Sequence, residues 1–205
     1  MLVGDGSWGK VLKGESYLTG RISYASIDYE LASHAGRLTA LVLGKLSAYK
    51  PYWSESNGVY VVECGSKHLV ETLQGALKRF ETLIRQFPIR FLKGIYNAEG
   101  SVSVRSRRGG IYPRVFLTNS DCEILNLTRS LLNMLGIRTT LEVNTKAGKT
   151  KTIQGVKTAT RSEVYNVCIE TRENVLTLAR MIGLGIPRKA NLLLKAVNQM
   201  KKVCE

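Results

Sequence analysis

The sequence predicts an α+β protein of two similar halves, residues 1–88 and 89–205, each an antiparallel sheet backed by helices. Three observations predict it. Met1–Gly6, MLVGDG, and Phe91–Gly100, FLKGIYNAEG, both run apolar or small up to a carboxylate and a glycine, and both then enter a strand-like run. Strand-length stretches in each half alternate apolar with polar and basic residues. Each half also repeats one order of elements: helix, strand pair, helix, strand pair, helix.

In the first half Ser7–Lys13 is polar and basic. Tyr17–Ser26 alternates, with Leu18, Gly20, Ile22 and Tyr24 on one face and Tyr17, Thr19, Arg21 and Ser23 on the other. Ser26 or Asp28 is expected to cap a helix whose apolar stripe is Leu31, Leu38, Leu41, Val42 and Leu43. Leu46–Tyr52 and Val59–Cys64 read as strands. Ser66 is expected to cap a helix to about Phe80, carrying Leu69, Leu73, Leu77 and Phe80. Phe87-Pro88 closes this half.

The second half opens on its acid-glycine stretch. Gly94 and Ala98 are i, i+4 and share one helix face, small enough for another backbone to come close. Gly100 stops that helix. Glu99 then lies in its last turn, where the helix dipole disfavours a negative charge, so a compensating cation is expected, a divalent metal first among the candidates. Ser101–Arg107 alternates clearly, Val102 and Val104 against Ser101, Ser103, Arg105 and Arg107. Arg108 and two glycines make a basic turn. Tyr112–Thr118 returns with Val115 and Leu117 inward and Tyr112, Arg114 and Phe116 outward. Ser120 with Glu123 reads as a capping box before a helix that ends at Gly136, as its counterpart ends at Gly44. Ile137–Val143 reads as a strand, Asn144–Thr152 as a basic loop, and Val164–Ile169, VYNVCI, as the counterpart of Val59–Cys64, VYVVEC. Arg172–Ile182 is the matching helix, and Ile186-Pro187 opens a final basic one.

Composition narrows the partners. Thirty Lys and Arg against sixteen Asp and Glu give a net charge of +14, which argues for a polyanion, usually nucleic acid. Cys64, Cys122, Cys168 and Cys204 have no CxxC spacing and read as free thiols rather than a zinc site. His34 and His68 fall in predicted helices and read as structural. No nucleotide-binding fingerprint, signal peptide or membrane span is visible.

IYNAEG preceded by FLKG resembles a LAGLIDADG motif, and LVGDG resembles the end of a second. Chains with two such motifs are similar to the monomeric LAGLIDADG homing endonucleases, many of them encoded in archaeal introns. The resemblance implies two pseudo-symmetric halves, motif helices packed at a pseudo-twofold axis, and two sheets side by side as a saddle over double-stranded DNA. It implies a cut in both strands across the minor groove, leaving short 3′ overhangs at a long asymmetric target. Asp5 and Glu99, with the backbone of Gly4 and Ala98, would hold two or three divalent ions, Mg²⁺ with Mn²⁺ as substitute. Only four residues precede Asp5, so either the first motif helix is a stub or residues are missing from the native N-terminus.

Lys10 and Arg105 are the candidates for a basic residue near the metal-bound water. The family's polar residue at the helix start would fall near Ile27 and Asn119. Arg21, Arg105, Arg107 and Arg114, with Tyr17 and Tyr112, on the polar strand faces are candidates for base reading, and Arg108 in the turn is a further DNA-binding candidate. Lys13, Lys146, Lys149, Lys151 and Arg161 are candidates for phosphate. The expected setting is the cytoplasm, at the nucleoid, as a monomer. An RNA maturase acting on its host intron, or a non-catalytic basic nucleic-acid-binding module, are the other readings open to this sequence.

Overall fold

The computed structural model describes residues 6–13, 17–107, 110–153 and 156–202. The chain divides into two units, Met1–Pro88 and Ile89–Glu205. The first contains β1 (Gly6–Lys13), β2 (Tyr17–Ser26), α1 (Tyr29–Val42), β3 (Tyr52–Ser54), β4 (Val59–Gly65), α2 (Lys67–Leu77) and α3 (Phe80–Gln86). The helix α4 (Pro88–Ala98) leads into the second, followed by β5 (Gly100–Arg107), β6 (Gly110–Asn119), α5 (Cys122–Met134), β7 (Thr140–Thr145), β8 (Thr150–Ile153), β9 (Val156–Ala159), β10 (Val164–Ile169), α6 (Arg172–Met181) and α7 (Pro187–Lys202).

The sheet orders are β1-β2-β4-β3 and β5-β6-β10-β7, with β8-β9 as a separate ribbon. Taken along the chain, both four-stranded sheets run first, second, fourth, third strand, and every neighbouring pair in them is antiparallel. The helix starts repeat as well. Asp28 caps α1 through the amides of Glu30 and Leu31, and Asp121 caps α5 through those of Glu123 and Ile124. Gly44 and Gly136 follow the two C-caps at φ 65° and 75°, a conformation glycine adopts without a Cβ penalty.

Unit 1 packs its sheet against helices on small residues. Tyr24, Ala32, Ala35 and Val62 form one cluster and Ile22, Leu69 and Val70 a second. This corrects the stripe expected for α1: Ala32, Ala35, Gly36, Thr39 and Ala40 are buried, while Leu41 and Val42 are 74% and 66% exposed. Close approach explains the exchange. A Cβ on Gly36 would stand 2.0 Å from the Tyr49 carbonyl oxygen, and only small residues allow that distance. In unit 2 Val115, Leu117, Val167 and Ile169 are fully buried on one face of the sheet, but Val104, expected on that face as core, is 41% exposed toward the tip of the β5–β6 hairpin.

Three further expectations change. The α5 cap is Asp121 rather than Ser120, because Asn119 Oδ1 accepts from the Asp121 amide at 2.9 Å and turns that carboxylate toward the helix amides. The first short strand after α1 lies at Tyr52–Ser54, beyond most of the span expected for it. The basic stretch 144–152 is not a loop: β7 extends to Thr145, and Thr150–Ile153 pairs with Val156–Ala159 as a hairpin ribbon.

Candidate active site and nucleic-acid face

The acid-glycine stretch forms α4. Proline suits its first turn, where an amide would lack a partner in any case. Leu92, Ile95 and Tyr96, spaced i, i+3, i+4, bury one face. Burial raises the Tyr96 phenol well above its ordinary pKa, so it stays neutral. The Glu99 amide still donates to Ile95 O at 2.8 Å, which fixes the acid at the turn just past the helix. Gly100 is required there, since a Cβ would stand 2.4 Å from the Tyr96 carbonyl oxygen.

Two ties from the α6–α7 end of the unit hold this helix end. The Gly185 amide donates to Asn97 Oδ1 at 2.8 Å, and Lys189 Nζ donates to the carbonyls of Tyr96, Asn97 and Ala98 at 3.4, 2.6 and 3.3 Å. The chain itself therefore places a cation at this helix end, on the carbonyls that precede Glu99. Sequence reasoning missed both residues. Asn97, polar at a core position of the motif, was a signal available in the sequence. Lys189, about ninety positions away in the chain, had none.

Asp5 and Gly4, the other expected metal donors, lie outside the described residues, as does Arg108. Among the described residues no cluster of three or more His, Cys, Asp or Glu could enclose a metal ion. The donors present, the Glu99 carboxylate and the Ala98 carbonyl, are hard oxygens. That set fits Mg²⁺, which takes one or two carboxylates, waters and substrate phosphates rather than a closed protein cage.

The strand registers sort the remaining candidates. Lys13 stands opposite Tyr17, and Gly9 opposite Arg21, in one set of alternate positions. Lys10 stands opposite Gly20, in the other set, which includes buried Ile22 and Tyr24. By register, Lys13 falls in the polar set and Lys10 in the other. Arg105 stands opposite Tyr112, and Arg107 opposite Gly110, in the same set as Ser101, Ser103, Arg114 and Phe116. Lys146 and Lys149 are exposed in the turn before the ribbon, Lys151 lies on β8, and Arg161 is exposed beyond β9.

Arg114 keeps its predicted face but not its predicted exposure. It is 8% exposed, ion-paired with Glu142 of β7 and with Glu170 at 3.1 Å, and its guanidinium donates to Cys168 Sγ at 2.7 Å. The guanidinium also lies over the Phe116 ring at 5.3 Å. It clamps the sheet and is not open to a base edge, which corrects its place among the readers. Arg21 is 52% exposed and pairs with Glu63; that hydrogen bond and charge raise its pKa further. The polar residue at the strand-to-helix junction is also corrected. Ser26 Oγ accepts from the Asp28 amide at 3.0 Å as Asn119 Oδ1 accepts from Asp121, so Ser26 matches Asn119 and Ile27 does not.

The family model described as a LAGLIDADG-like domain matches residues 86–183. An uncharacterised protein of Methanocaldococcus jannaschii is 27% identical over 141 residues, covering 69% of this chain and 49% of that protein. A DNA polymerase of Thermococcus litoralis is 26% identical over 205 residues, covering 95% of this chain and 11% of the polymerase. The chain therefore spans about half the length of the first relative and about a tenth of the second. A mesophilic variant of the homing endonuclease I-DmoI superposes with a TM-score of 0.62 at 21% identity, over 95% of this chain and 93% of that one. The LAGLIDADG homing endonuclease I-GzeII, in complex with a DNA target, superposes with a TM-score of 0.58 at 10% identity, over 98% and 92%. With a LAGLIDADG-like domain at residues 86–183 and a topology shared along nearly its whole length, the chain has the LAGLIDADG homing endonuclease fold.

Proposed function

We propose that the protein is a site-specific homing endonuclease that makes a metal-dependent double-strand break in DNA, at a long asymmetric target in an intron-lacking allele. The observation that carries this reading is the end of α4. A carboxylate sits at a braced helix terminus, beside a sheet whose open face is polar, in a chain of net charge +14. The fold relative I-DmoI has been captured with DNA and Ca, and with DNA and Mn.

Each part then has a task. Glu99, with the Ala98 carbonyl, and Asp5, with Gly4, offer oxygens to divalent ions, Mg²⁺ first and Mn²⁺ in its place. Such an ion supplies an activated water and stabilises the leaving oxygen. Gly100 and the ties to Asn97 and Lys189 keep the Glu99 carboxylate from drifting before substrate arrives, so that little reorganisation is left to the reaction. Arg105 and Arg107, with Tyr17, Tyr112 and Arg21, read base edges in the major groove. Lys13, Lys146, Lys149, Lys151 and Arg161 neutralise phosphate and supply affinity without sequence information. One chain with two motifs acts as a monomer.

The test is cleavage of supercoiled plasmid carrying a target selected from randomised duplex, with Mg²⁺ present. Glu99→Gln and Asp5→Asn keep shape and remove charge. Each is expected to abolish linearisation while DNA binding persists, because affinity resides in cationic contacts elsewhere. Full linearisation by Glu99→Gln would overturn the assignment, and selective retention of structured intron RNA over duplex would favour a maturase.

A further inference from the structure

Lys189 is in an unexpected place. It lies in the first turn of α7, after Pro187, where the helix dipole disfavours a cation. What holds it there is the opposite end of another helix. The last carbonyls of α4 have no amide partners within their own helix, and an ammonium has three donors to give them. Nζ reaches the carbonyls of Tyr96, Asn97 and Ala98 together. Ile186, Leu193 and Ala196 are buried and fix the register of α7 that aims the side chain, and the Gly185–Asn97 hydrogen bond holds the turn before it.

Building on the assignment of Glu99 and the Ala98 carbonyl as metal donors, we propose that Lys189 is a positioning residue: a resident cation that fixes the motif-helix end and weakens the binding of divalent ions there. The argument rests on one shared oxygen. The Ala98 carbonyl already accepts from Nζ at 3.3 Å. A divalent ion taken up at the same carbonyl and the Glu99 carboxylate is repelled by that ammonium at close range. In a water-like dielectric, repulsion of this kind is worth up to about tenfold in affinity. The arrangement keeps the acid placed when no ion is bound and keeps ion binding loose enough to be completed by substrate phosphate.

The experiment titrates the full chain with Mn²⁺, following the EPR signal of the free ion, and repeats the titration with Ca²⁺ as competitor. Lys189→Met removes both charge and donors. Lys189→Gln removes the charge and keeps a donor, and Lys189→Arg keeps both. The two neutral variants are expected to bind Mn²⁺ several-fold more tightly, up to about tenfold, while the arginine variant matches wild type. Thermal unfolding is recorded in parallel, and Lys189→Met is expected to melt earlier. A brace with no electrostatic role would lower the melting temperature and leave Mn²⁺ affinity unchanged or weaker, which overturns the proposal. Glu99→Gln separates this from the reading it builds on. If Glu99→Gln loses Mn²⁺ and the neutral Lys189 variants do not gain it, only the role of Lys189 falls. If Glu99→Gln binds Mn²⁺ as wild type does, the metal assignment falls and this proposal with it.

Discussion

Gly100→Ala tests whether the geometry behind Glu99 is as tight as it stands. The added methyl would meet the Tyr96 carbonyl oxygen at 2.4 Å, its ring Cδ1 at 2.7 Å and its Cα at 2.8 Å. Ordinary contact begins near 3.4 Å, so the backbone must part by roughly 1 Å. Neither side yields easily. Tyr96 is fully buried, and Gly100 is in register with Leu117, also fully buried. Overpacking of this kind costs about 1–3 kcal/mol, and loosening the Glu99–Ile95 hydrogen bond adds about 1 kcal/mol, giving about 2–4 kcal/mol in all. With a urea m-value of about 1–3 kcal/mol/M, the midpoint of the C-terminal unit should fall by about 1–2 M. The two units need not unfold together. Both tryptophans, Trp8 and Trp53, lie in the N-terminal unit, so their fluorescence follows that unit while far-UV circular dichroism follows both. The substitution should move the dichroism transition and leave the fluorescence transition in place. A dichroism shift below about 0.3 M would refute the close approach.

Two further outcomes are expected. Arg114→Met should destabilise the C-terminal unit by about 1–3 kcal/mol, since it strips a buried donor from Glu142, Glu170 and Cys168, whereas Arg21→Met should leave the unfolding midpoint in place; equal effects in urea melts would remove the distinction between clamp and open face. Lys149→Ala should weaken binding to all duplexes alike and reduce the salt slope by about one counterion, against Arg105→Ala, which should relax preference at one base position; filter binding of selected and random duplex across a salt series tells them apart, and a uniform loss in both refutes the division of labour.

The features legible in the sequence are those whose signal is local and periodic. The β5–β6 hairpin shows two-residue alternation, and Val115 and Leu117 are buried as that alternation requires, whereas Val104, nearer the hairpin tip, is left 41% exposed. The helix ends at Gly44 and Gly136 are likewise local, one residue carrying one backbone conformation. The α1 stripe misleads because the large apolar residues there do not mark the buried face. What is buried there is the set of residues small enough to let Tyr49 approach Gly36. The β8–β9 ribbon was hidden because Lys and Thr alternate without an apolar partner, and pairing with Val156–Ala159 supplies the order that the pattern lacks. Arg114 had the expected side of the strand but the wrong surroundings. Its environment comes from Glu142 and Glu170, well removed in sequence, and alternation along one strand carries no record of its neighbours. Lys189 is the same case in sharper form.

The two arginines show how the polar faces of two sheets of like topology differ. Arg21 and Arg114 each stand five residues before the polar residue that orients the next helix cap, Ser26 or Asn119, and are therefore equivalent. In the N-terminal unit the β4 position opposite Ser23 is Glu63, which pairs with Arg21. In the C-terminal unit the matching β10 position, opposite Phe116, is Cys168. A thiol cannot neutralise a guanidinium, and the charge is met instead by Glu142 from the edge strand and Glu170 at the end of β10. The price is exposure: one arginine remains half open while its equivalent is drawn under two carboxylates. Main-chain topology is thus held constant while the polar faces become unequal. Two equal faces would suit a palindromic ligand. Under the proposed function, faces that differ in which groups they leave open suit a target whose two halves differ, and Cys168→Glu, which gives β10 the glutamate that β4 carries, is the most direct chemical route to making them alike.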